Sequence, residues 1–155
     1  MITSFDGPYE FLSNFWPSQI RWQGVDYPTL EHAFQAAKTL DEAKRRWIAA
    51  LPWPADAKAA GQRLELRPDW EAVKTGIMAE LVALKFADPV LRARLQATGE
   101  QEIVEGNHWF DRVWGQCPLG VGENRLGLIL AQTRAAGRAS TRRPSQGSSE
   151  PLKSG

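Results

Sequence analysis

The spacing of apolar residues predicts a chain built mostly of helices. Apolar positions recur at intervals of three and four, as on one face of a helix, and caps and prolines set the expected limits. The predicted helices span residues 42–50 after Asp41, residues 55–60 between Pro54 and Gly61, Pro68 to about Phe86, Asp88 to Thr98, and Arg125 to about Ala136 with Asn124 as N-cap. The long helix from Pro68 should face the core with Val73, Ile77, Leu81 and Leu84.

Alternating polarity near the N-terminus predicts a β-hairpin. Residues 20–22 and 25–27 alternate around Gln23-Gly24, a pair suited to a tight turn. Residues 64–66 are predicted to form a further short strand. The pair Ser13-Asn14 predicts a turn between aromatic residues, although its polar groups would also suit a ligand.

The stretch from Tyr27 to Lys38 predicts a helix with an apolar and a polar stripe side by side. The apolar stripe consists of Leu30, Ala33, Phe34 and Ala37. The polar stripe consists of Glu31, Gln35 and Lys38. With a rise of about 1.5 Å per residue, Glu31 and Lys38 attach roughly 10 Å apart and could reach one ligand. A solvated helix whose end charges suit the helix dipole would show the same pattern, so both interpretations stay open.

Length and charge predict one domain followed by a basic tail. A chain of 155 residues with 43% hydrophobic content suits a single core. Residues 138–155 carry four of the 19 basic residues and one of the 18 acidic ones, so residues 1–137 carry 15 against 17, a net charge of −2. We therefore expect a domain over residues 1–137, no general nucleic-acid binding by phosphate charge, and a disordered tail over residues 138–155.

Several classes of protein are excluded by what the sequence lacks. Cys117 is the single cysteine, so an internal disulfide is impossible, and with only two histidines a zinc site is not expected. No apolar run approaches the ~18 residues of a membrane span, and no signal peptide opens the chain, which predicts a cytoplasmic protein without membrane contact. Phosphate-loop, dinucleotide-binding and hydrolase-elbow motifs are absent.

A second stretch, residues 102–124, combines polar and aromatic residues on a predicted loop. Glu105, Asn107, Asp111 and Trp114 fall between regular elements, where binding and catalytic residues often lie. Lys58, on the short helix, is interpreted first as a solvated charge, and a local basic pocket formed by Lys38, Lys58, Arg67 and Lys74 stays open as the alternative.

Ordered motifs along the chain resemble the YbiA-like NADAR family over roughly residues 5–135. The motifs are Ser13-Asn14-Phe15, Tyr27-Pro28-Thr29 with Glu31-His32, Phe34-Gln35 and Lys38, Arg67-Pro68-Asp69-Trp70 with Val73-Lys74, Lys85-Phe86, Leu95 with Thr98-Gly99, Glu105 and Asn107 with Asp111 and Trp114-Gly115, and Gly122 with Asn124-Arg125-Leu126-Gly127. The resemblance implies a mostly helical α+β single domain with a small N-terminal β-hairpin region.

The resemblance also implies a hydrolase that cleaves an N-glycosidic bond at ribose C1. Two activities are attached to such proteins: cleavage of early riboflavin-pathway intermediates, and removal of ADP-ribose from modified guanine bases in nucleic acid, sometimes as the antitoxin to an ADP-ribosylating toxin. The expected partner is therefore a small nucleotide or an ADP-ribosylated nucleic acid, with a cognate toxin as a further candidate. The oligomeric state is not readable from the sequence.

The chemistry of such a reaction points to two carboxylates and a lysine. Glu31 and Asp111 would stabilise the positive charge at C1 or assist the departing base, and Glu105 is a third candidate. A position in the first helical turn favours the ionised form of Glu31. Lys38 would act either as a phosphate clamp or as a Schiff-base nucleophile, which needs a neutral amine.

Substrate contacts are expected from residues spread along the motifs, with Trp114 stacking on the base together with Phe15 or Trp70. The full set is Ser13, Asn14, Phe15, Gln35, Arg67, Trp70, Lys74, Glu105, Asn107, Trp114, Gly115 and Asn124. No metal or redox cofactor is required by this chemistry. A module that binds ADP-ribose or a nucleotide without cleaving it remains the competing hypothesis.

Overall fold

The structure, a computed structural model, describes residues 1–142. A short 3-10 helix over Gly7–Leu12 precedes a hairpin of strands β1 (Pro17–Trp22) and β2 (Val25–Thr29). Within the described residues the helices are α1 (Leu30–Ala36), α2 (Glu42–Ala49), α3 (Pro54–Gln62), α4 (Trp70–Lys85), α5 (Pro89–Ala97) and α6 (Arg125–Arg142). The α+β, mostly helical class expected from the sequence is confirmed.

The predicted hairpin is present and carries one buried face. Ile20 pairs with Tyr27 and Trp22 pairs with Val25, and all four side chains are buried. Gln23 and Gly24 both have positive φ angles, 47° and 80°. Two consecutive residues with positive φ angles make a two-residue turn whose twist matches that of the flanking strands. The tight connection therefore follows from the local sequence.

Helix α1 lies at the centre of the fold. Every residue from Leu30 to Ala36 is buried, and the helix packs against the hairpin, α2, α3 and α4. Thr29 caps its first turn by accepting a hydrogen bond from the His32 backbone N–H. The helix ends two residues short of the predicted limit, and Lys38 follows it in a tight turn.

The other helices agree with the prediction in number and order, with local differences. Asp41 and Asp88 cap α2 and α5 as expected. Helix α3 continues one residue beyond Gly61, to Gln62, and Gly61 packs against Gln35 of α1. Leu84 of α4 is 40% exposed, whereas Met78, Val82 and Lys85 are buried.

Two further expectations about local structure are wrong. Residues 64–66 form no strand, since they run between α3 and α4 with no strand pairing assigned to them. Helix α6 continues beyond Ala136 to Arg142, so residues 138–142 are helical and not part of a disordered tail. Arg138 explains the extension, because its side chain donates to the Gln96 side chain (3.2 Å) and to the Gly99 carbonyl. The rest of the predicted tail, residues 143–155, lies outside the described residues.

The N-terminus is tied to the loop that follows α5. Ile2 pairs in parallel with Ile103, through its N–H to the Glu102 carbonyl and its carbonyl to the Val104 N–H, both at 2.8 Å. This pairing holds the extended segment from which Glu105 projects. Among residues 1–142, no helix is both long enough and apolar enough to cross a membrane.

Candidate active site

A cleft of about 540 Å³ opens where α1, α3 and α4 meet the 13–15 turn and the 105–114 loop. Its volume is in the range of small-molecule sites. The lining residues are Phe5, Ser13, Asn14, Phe15, Glu31, Phe34, Gln35, Lys38, Lys58, Gln62, Trp70, Lys74, Met78, Glu105, Gly106, Trp109, Asp111, Val113, Trp114 and Leu126. The polar stripe predicted on α1 therefore faces a cleft and not open solvent.

Glu31 is held by one contact to its carboxyl group and one to its backbone. The Gln35 side-chain amide donates to Glu31 Oε1 at 2.8 Å, one helical turn along α1. The Glu31 backbone N–H donates to the Asn14 carbonyl at 3.1 Å, which joins α1 to the 13–15 turn. The residue is only 7% exposed, although it lines the cleft.

Burial raises the pKa of Glu31 above its ordinary value, while the Gln35 hydrogen bond, Lys58 and Lys38 oppose the shift and Asp111 adds to it. The direction is opposite to the one expected from the first-turn position. Removing a carboxylate from water outweighs the helix dipole, which contributes roughly 0.3–1 kcal/mol at exposed sites and up to about 2 kcal/mol at partly buried ones.

Lys38 is placed by the turn that ends α1. Its carbonyl accepts a hydrogen bond from the Arg67 backbone N–H at 2.8 Å, so the segment before α4 fixes the lysine backbone. Burial lowers the pKa of Lys38, and the nearby Lys58 and Lys74 lower it further, against the opposing charge of Glu31. A lowered pKa increases the neutral fraction of the amine, which is the nucleophilic form.

Asn107 and Asp111 shape the loop on which they lie. The Asn107 side chain donates to the Asp111 carbonyl and accepts from the Asp111 N–H, both at 2.9 Å. Asp111 Oδ1 in turn accepts the backbone N–H groups of Val113 and Trp114, each at 3.0 Å. These bonds fix the Asp111 carboxylate at the cleft, because two donors hold one of its oxygens.

Aromatic rings form the apolar part of the cleft. Phe34 contacts Trp70 and Trp114, with ring centroids 5.1 Å and 5.3 Å apart. Phe15 and Trp109 also line the cleft, and they are 40% and 59% exposed. The Lys58 amine lies 5.2 Å from the centre of the Trp109 ring. A flat ligand could therefore stack on rings that are already ordered by their neighbours.

A buried lysine of α4, Lys85, anchors the 13–15 turn. Lys85 Nζ donates to the Ser13 carbonyl at 2.7 Å, and burial lowers the pKa of this lysine to about 7. The Asn14 amide contacts the Met78 sulfur at 3.7 Å. Ser13-Asn14 is thus a turn, as the sequence predicts, and it also lines the cleft.

Four predicted site residues are not among those that line the cleft. Arg67 forms an ion pair with Asp69, with Nε 2.6 Å from Oδ1. Asn107 and Gly115 lie behind Asp111 and Glu105. Asn124 directly precedes α6, where the predicted N-cap should lie, and its carbonyl accepts the Leu128 N–H at 3.1 Å. Its φ angle is +50°, and its side chain accepts from the Glu105 N–H and donates to the Ile103 carbonyl. Within the structure, these residues support the site from outside.

The sequence reasoning missed several lining residues. Lys58 was interpreted as a solvated charge, yet it lies in the cleft with Gln62, and the four-residue spacing on α3 was the available signal. Trp109 carried no distinguishing signal among seven tryptophans. Phe5, Met78 and Leu126 come from distant parts of the chain and could not be assigned to one site by spacing. Among the described residues, no group of three or more His, Cys, Asp or Glu side chains could hold a metal ion.

Comparison with known proteins decides the family. The sequence profile of the NADAR domain matches residues 3–136. The chain belongs to the NADAR domain family. It is 40% identical over 131 residues to the N-glycosidase YbiA of Escherichia coli, covering 81% of this chain and 80% of that protein. The NMR structure of E. coli YbiA matches with a TM-score of 0.83 at 34% identity, covering 96% of this chain and 91% of that one.

Two further relatives extend the comparison. The N-glycosidase Npun_R5314 of Nostoc punctiforme is 38% identical over 133 residues, covering 82% of this chain and 85% of that protein. The riboflavin biosynthesis protein VVA0006 of Vibrio vulnificus is 33% identical over 132 residues, and the matched part is 83% of this chain but 36% of that protein. The NADAR family and the N-glycosidase class predicted from the motifs are confirmed by these relatives.

Proposed function

We propose that this NADAR protein cleaves the bond between ribose C1 and the base of a phosphorylated ribosyl base. The observation that carries the proposal is the set of charged groups in one cleft. Three carboxyl groups, Glu31, Glu105 and Asp111, and three amines, Lys38, Lys58 and Lys74, line it together with aromatic rings. Ribosyl transfer to water needs negative charge near C1, a nucleophile, and cations for phosphate.

The three amines have different roles in this proposal. The neutral amine of Lys38 attacks C1, and the base leaves with the electron pair of the C1–N bond. The ribosylated nitrogen then loses a proton, and the C1–O4 bond opens as O4 takes up a proton. Water hydrolyses the resulting imine, which releases the sugar and restores the Lys38 amine. The lowered pKa of Lys38 supports this role over that of a phosphate clamp. Lys58 and Lys74 supply cations for phosphate, although Lys74 is paired with Glu71 at 2.6 Å.

The carboxylates act on the sugar. Asp111 is held by two backbone N–H groups and stabilises the positive charge that develops at C1. Glu31, whose pKa is raised by burial, accepts the proton from the attacking water. Trp114 and Trp70 offer faces for the base beside Phe34.

Early riboflavin-pathway intermediates, which are phosphoribosylated pyrimidines, are the proposed substrates. The cleft has the volume of a small-molecule site, and one relative carries the name of a riboflavin biosynthesis protein. An ADP-ribosylated guanine base is the second candidate. The exposed rings of Phe15 and Trp109 favour it, because they offer stacking surface at the cleft to a base carried by nucleic acid.

A side-by-side turnover assay tests the proposal. The purified protein is given the riboflavin intermediates and ADP-ribosylated guanine DNA, alongside Lys38→Ala, Glu31→Gln and the control Lys44→Ala, an exposed lysine on α2. We expect release of ribose 5-phosphate, loss of at least about 100-fold in the two cleft variants, and no loss in the control.

Other outcomes would change the assignment. Released ADP-ribose would identify a de-modifying enzyme and make a cognate toxin the next partner to seek. Binding of ADP-ribose without product from any substrate would contradict catalysis and support the binding module. Equal turnover by Lys38→Ala and the parent protein would remove Lys38 from the mechanism.

A further inference from the structure

Glu105 enters the cleft from the loop side, with a backbone fixed at both ends. Its N–H donates to the Asn124 side chain at 3.0 Å, and its carbonyl accepts from the Gln116 N–H at 2.9 Å. These bonds place Glu105 on a different element from Glu31, which α1 supplies. Substrate held between α1 and the loop would meet one carboxyl group from each.

Gly115 leaves the space in which the Glu105 carboxyl group lies. A Cβ atom at Gly115 would lie 1.9 Å from Glu105 Oε2 and 2.0 Å from the Glu105 carbonyl oxygen. The Asn107 amide contacts Oε2 at a long 3.4 Å. The carboxyl group therefore lies against the Gly115 backbone on one side, with one weak donor beside it.

The three carboxyl groups of the cleft differ in their hydrogen-bond partners. Asp111 accepts two backbone N–H groups at 3.0 Å, and Glu31 accepts an amide at 2.8 Å. Such bonds favour the charged form. Glu105 has only the long contact to Asn107, so it has the weakest stabilisation as an anion.

The charges that face Glu105 also favour its neutral form. Burial raises the pKa of Glu105 to about 7, and the carboxyl groups of Asp111 on the loop and Glu31 on α1 add to the shift. The Asn107 contact and Lys58 on α3 oppose it. At neutral pH a substantial fraction of Glu105 is therefore protonated, in the manner of raised-pKa acids in glycosidases.

Building on the proposed N-glycosidase function, we propose that Glu105 is the general acid that protonates the departing base. The C1–N bond breaks, its electron pair goes to the base nitrogen, and the proton passes from the Glu105 carboxyl group to the base. The carboxylate left behind regains a proton from water. Glu105 thus acts on the base while Lys38, Asp111 and Glu31 act on the sugar.

The test compares Glu105→Gln with the parent protein on two leaving groups. One substrate carries a poor leaving group, the pyrimidine of the riboflavin intermediate. The other is the ribosyl 5-phosphate of 4-nitrophenol, which departs without protonation. We expect Glu105→Gln to lose about 100-fold or more on the first and less than about tenfold on the second.

The pH profile gives an independent readout. The parent enzyme should lose kcat as the pH rises above about 7, because the acid is then ionised, and Glu105→Gln should lack this alkaline limb. Glu102 is an exposed residue three positions earlier, so Glu102→Gln is the matched control. It should keep both the activity of the parent enzyme and the loss of kcat at alkaline pH.

Equal losses on the two leaving groups, or an alkaline limb that persists in Glu105→Gln, would overturn the proposal and leave Glu105 a structural role. If the parent enzyme does not cleave the nitrophenyl substrate, the alkaline limb decides alone. If it cleaves neither substrate, the N-glycosidase assignment fails and the acid role fails with it. Parent activity combined with a fully active Glu105→Gln would overturn the acid role alone.

Discussion

At the scale of single residues, the position of Glu31 depends on a residue with no side chain. Gln35 donates to Glu31 Oε1, and its own Oε1 lies against Gly61 of α3. A Cβ atom at Gly61 would lie 1.8 Å from that oxygen. The glycine therefore sets the orientation of the glutamine, and the glutamine sets the orientation of the carboxyl group.

Gly61→Ala should weaken turnover and stability together. The added methyl group displaces Gln35 and removes the donor to Glu31, at a cost of roughly 1–3 kcal/mol for overpacking. Gly76→Ala is the matched control, because Gly76 lies in α4 with nothing near its Cβ position. It should gain about 0.5–1 kcal/mol from helix propensity.

Urea unfolding and steady-state kinetics of the two variants measure these changes. If Gly61→Ala and Gly76→Ala behave alike, the contact between Gly61 and Gln35 does not position Glu31.

At the scale of elements, α1 is fixed by a pair of hydrogen bonds that also fix the protonation of a histidine. The Thr29 hydroxyl donates to His32 Nδ1 at 2.7 Å, while it accepts from the His32 N–H at 3.2 Å. Because a carbonyl can only accept, His32 Nε2 donates to the Leu51 carbonyl at 2.9 Å. Burial lowers the pKa of His32, which favours the neutral ring with its proton on Nε2 and leaves Nδ1 to accept from the Thr29 hydroxyl. Protonation of Nδ1 would remove this acceptor beside the cap of α1.

The contribution of His32 to stability should be lost as the pH drops below about 6.5. Burial lowers the pKa of His32 from 6.5, with the Leu51 bond and Asp56 opposing the shift. The unfolded chain thus binds the proton more readily than the folded protein. The contribution is full above pH 6.5 and is lost as the pH falls toward the lowered folded pKa.

Free energies of unfolding at pH 7.5 and 5.5 measure the effect. Since the raised pKa values of Glu31 and Glu105 act in the opposite direction, the comparison is with His32→Gln, which should lose less stability, or gain more, than the parent protein between pH 7.5 and pH 5.5. If the free energy of unfolding changes by the same amount between the two pH values in His32→Gln and in the parent protein, the histidine does not contribute.

At the scale of the whole molecule, the cleft exists because distant segments close around α1. The 13–15 turn comes from the N-terminus, Lys58 and Lys74 come from α3 and α4, and the loop with Glu105 and Asp111 comes from beyond α5. Helix α6 packs on α4 and α5. Arg134 extends this packing by donating to the Thr98 side chain at 2.8 Å.

Two truncations separate the contribution of residues 138–142 from that of residues 143–155. Removal of 138–155 deletes the Arg138 bonds to Gln96 and Gly99, whereas removal of 143–155 keeps them. We expect the longer deletion to cost about 1–3 kcal/mol more, the range for lost charged hydrogen bonds. Thermal unfolding of both proteins measures the difference, and equal Tm values would contradict a stabilising role for Arg138.

Local sequence by itself determined the elements of this protein. Hydrophobic periodicity and caps predicted the hairpin turn at Gln23-Gly24, the start of α1 and the starts of α2, α4 and α5, because these depend on neighbouring residues. The ordered motifs also identified the family. Local patterns failed where packing outweighed propensity, as at Gly61 inside α3 and at the end of α6.

Only the tertiary structure decided how the polar residues are used. It brought Lys58 into the cleft and gave the Asn124 side chain, at the residue before α6, a role in holding Glu105. It also reversed the expected pKa direction of Glu31. Each of these results depends on burial and on contacts between residues far apart in the chain. Helix spacing determines which side chains share a face, but the free energy of a charge is set by whatever packs against that face.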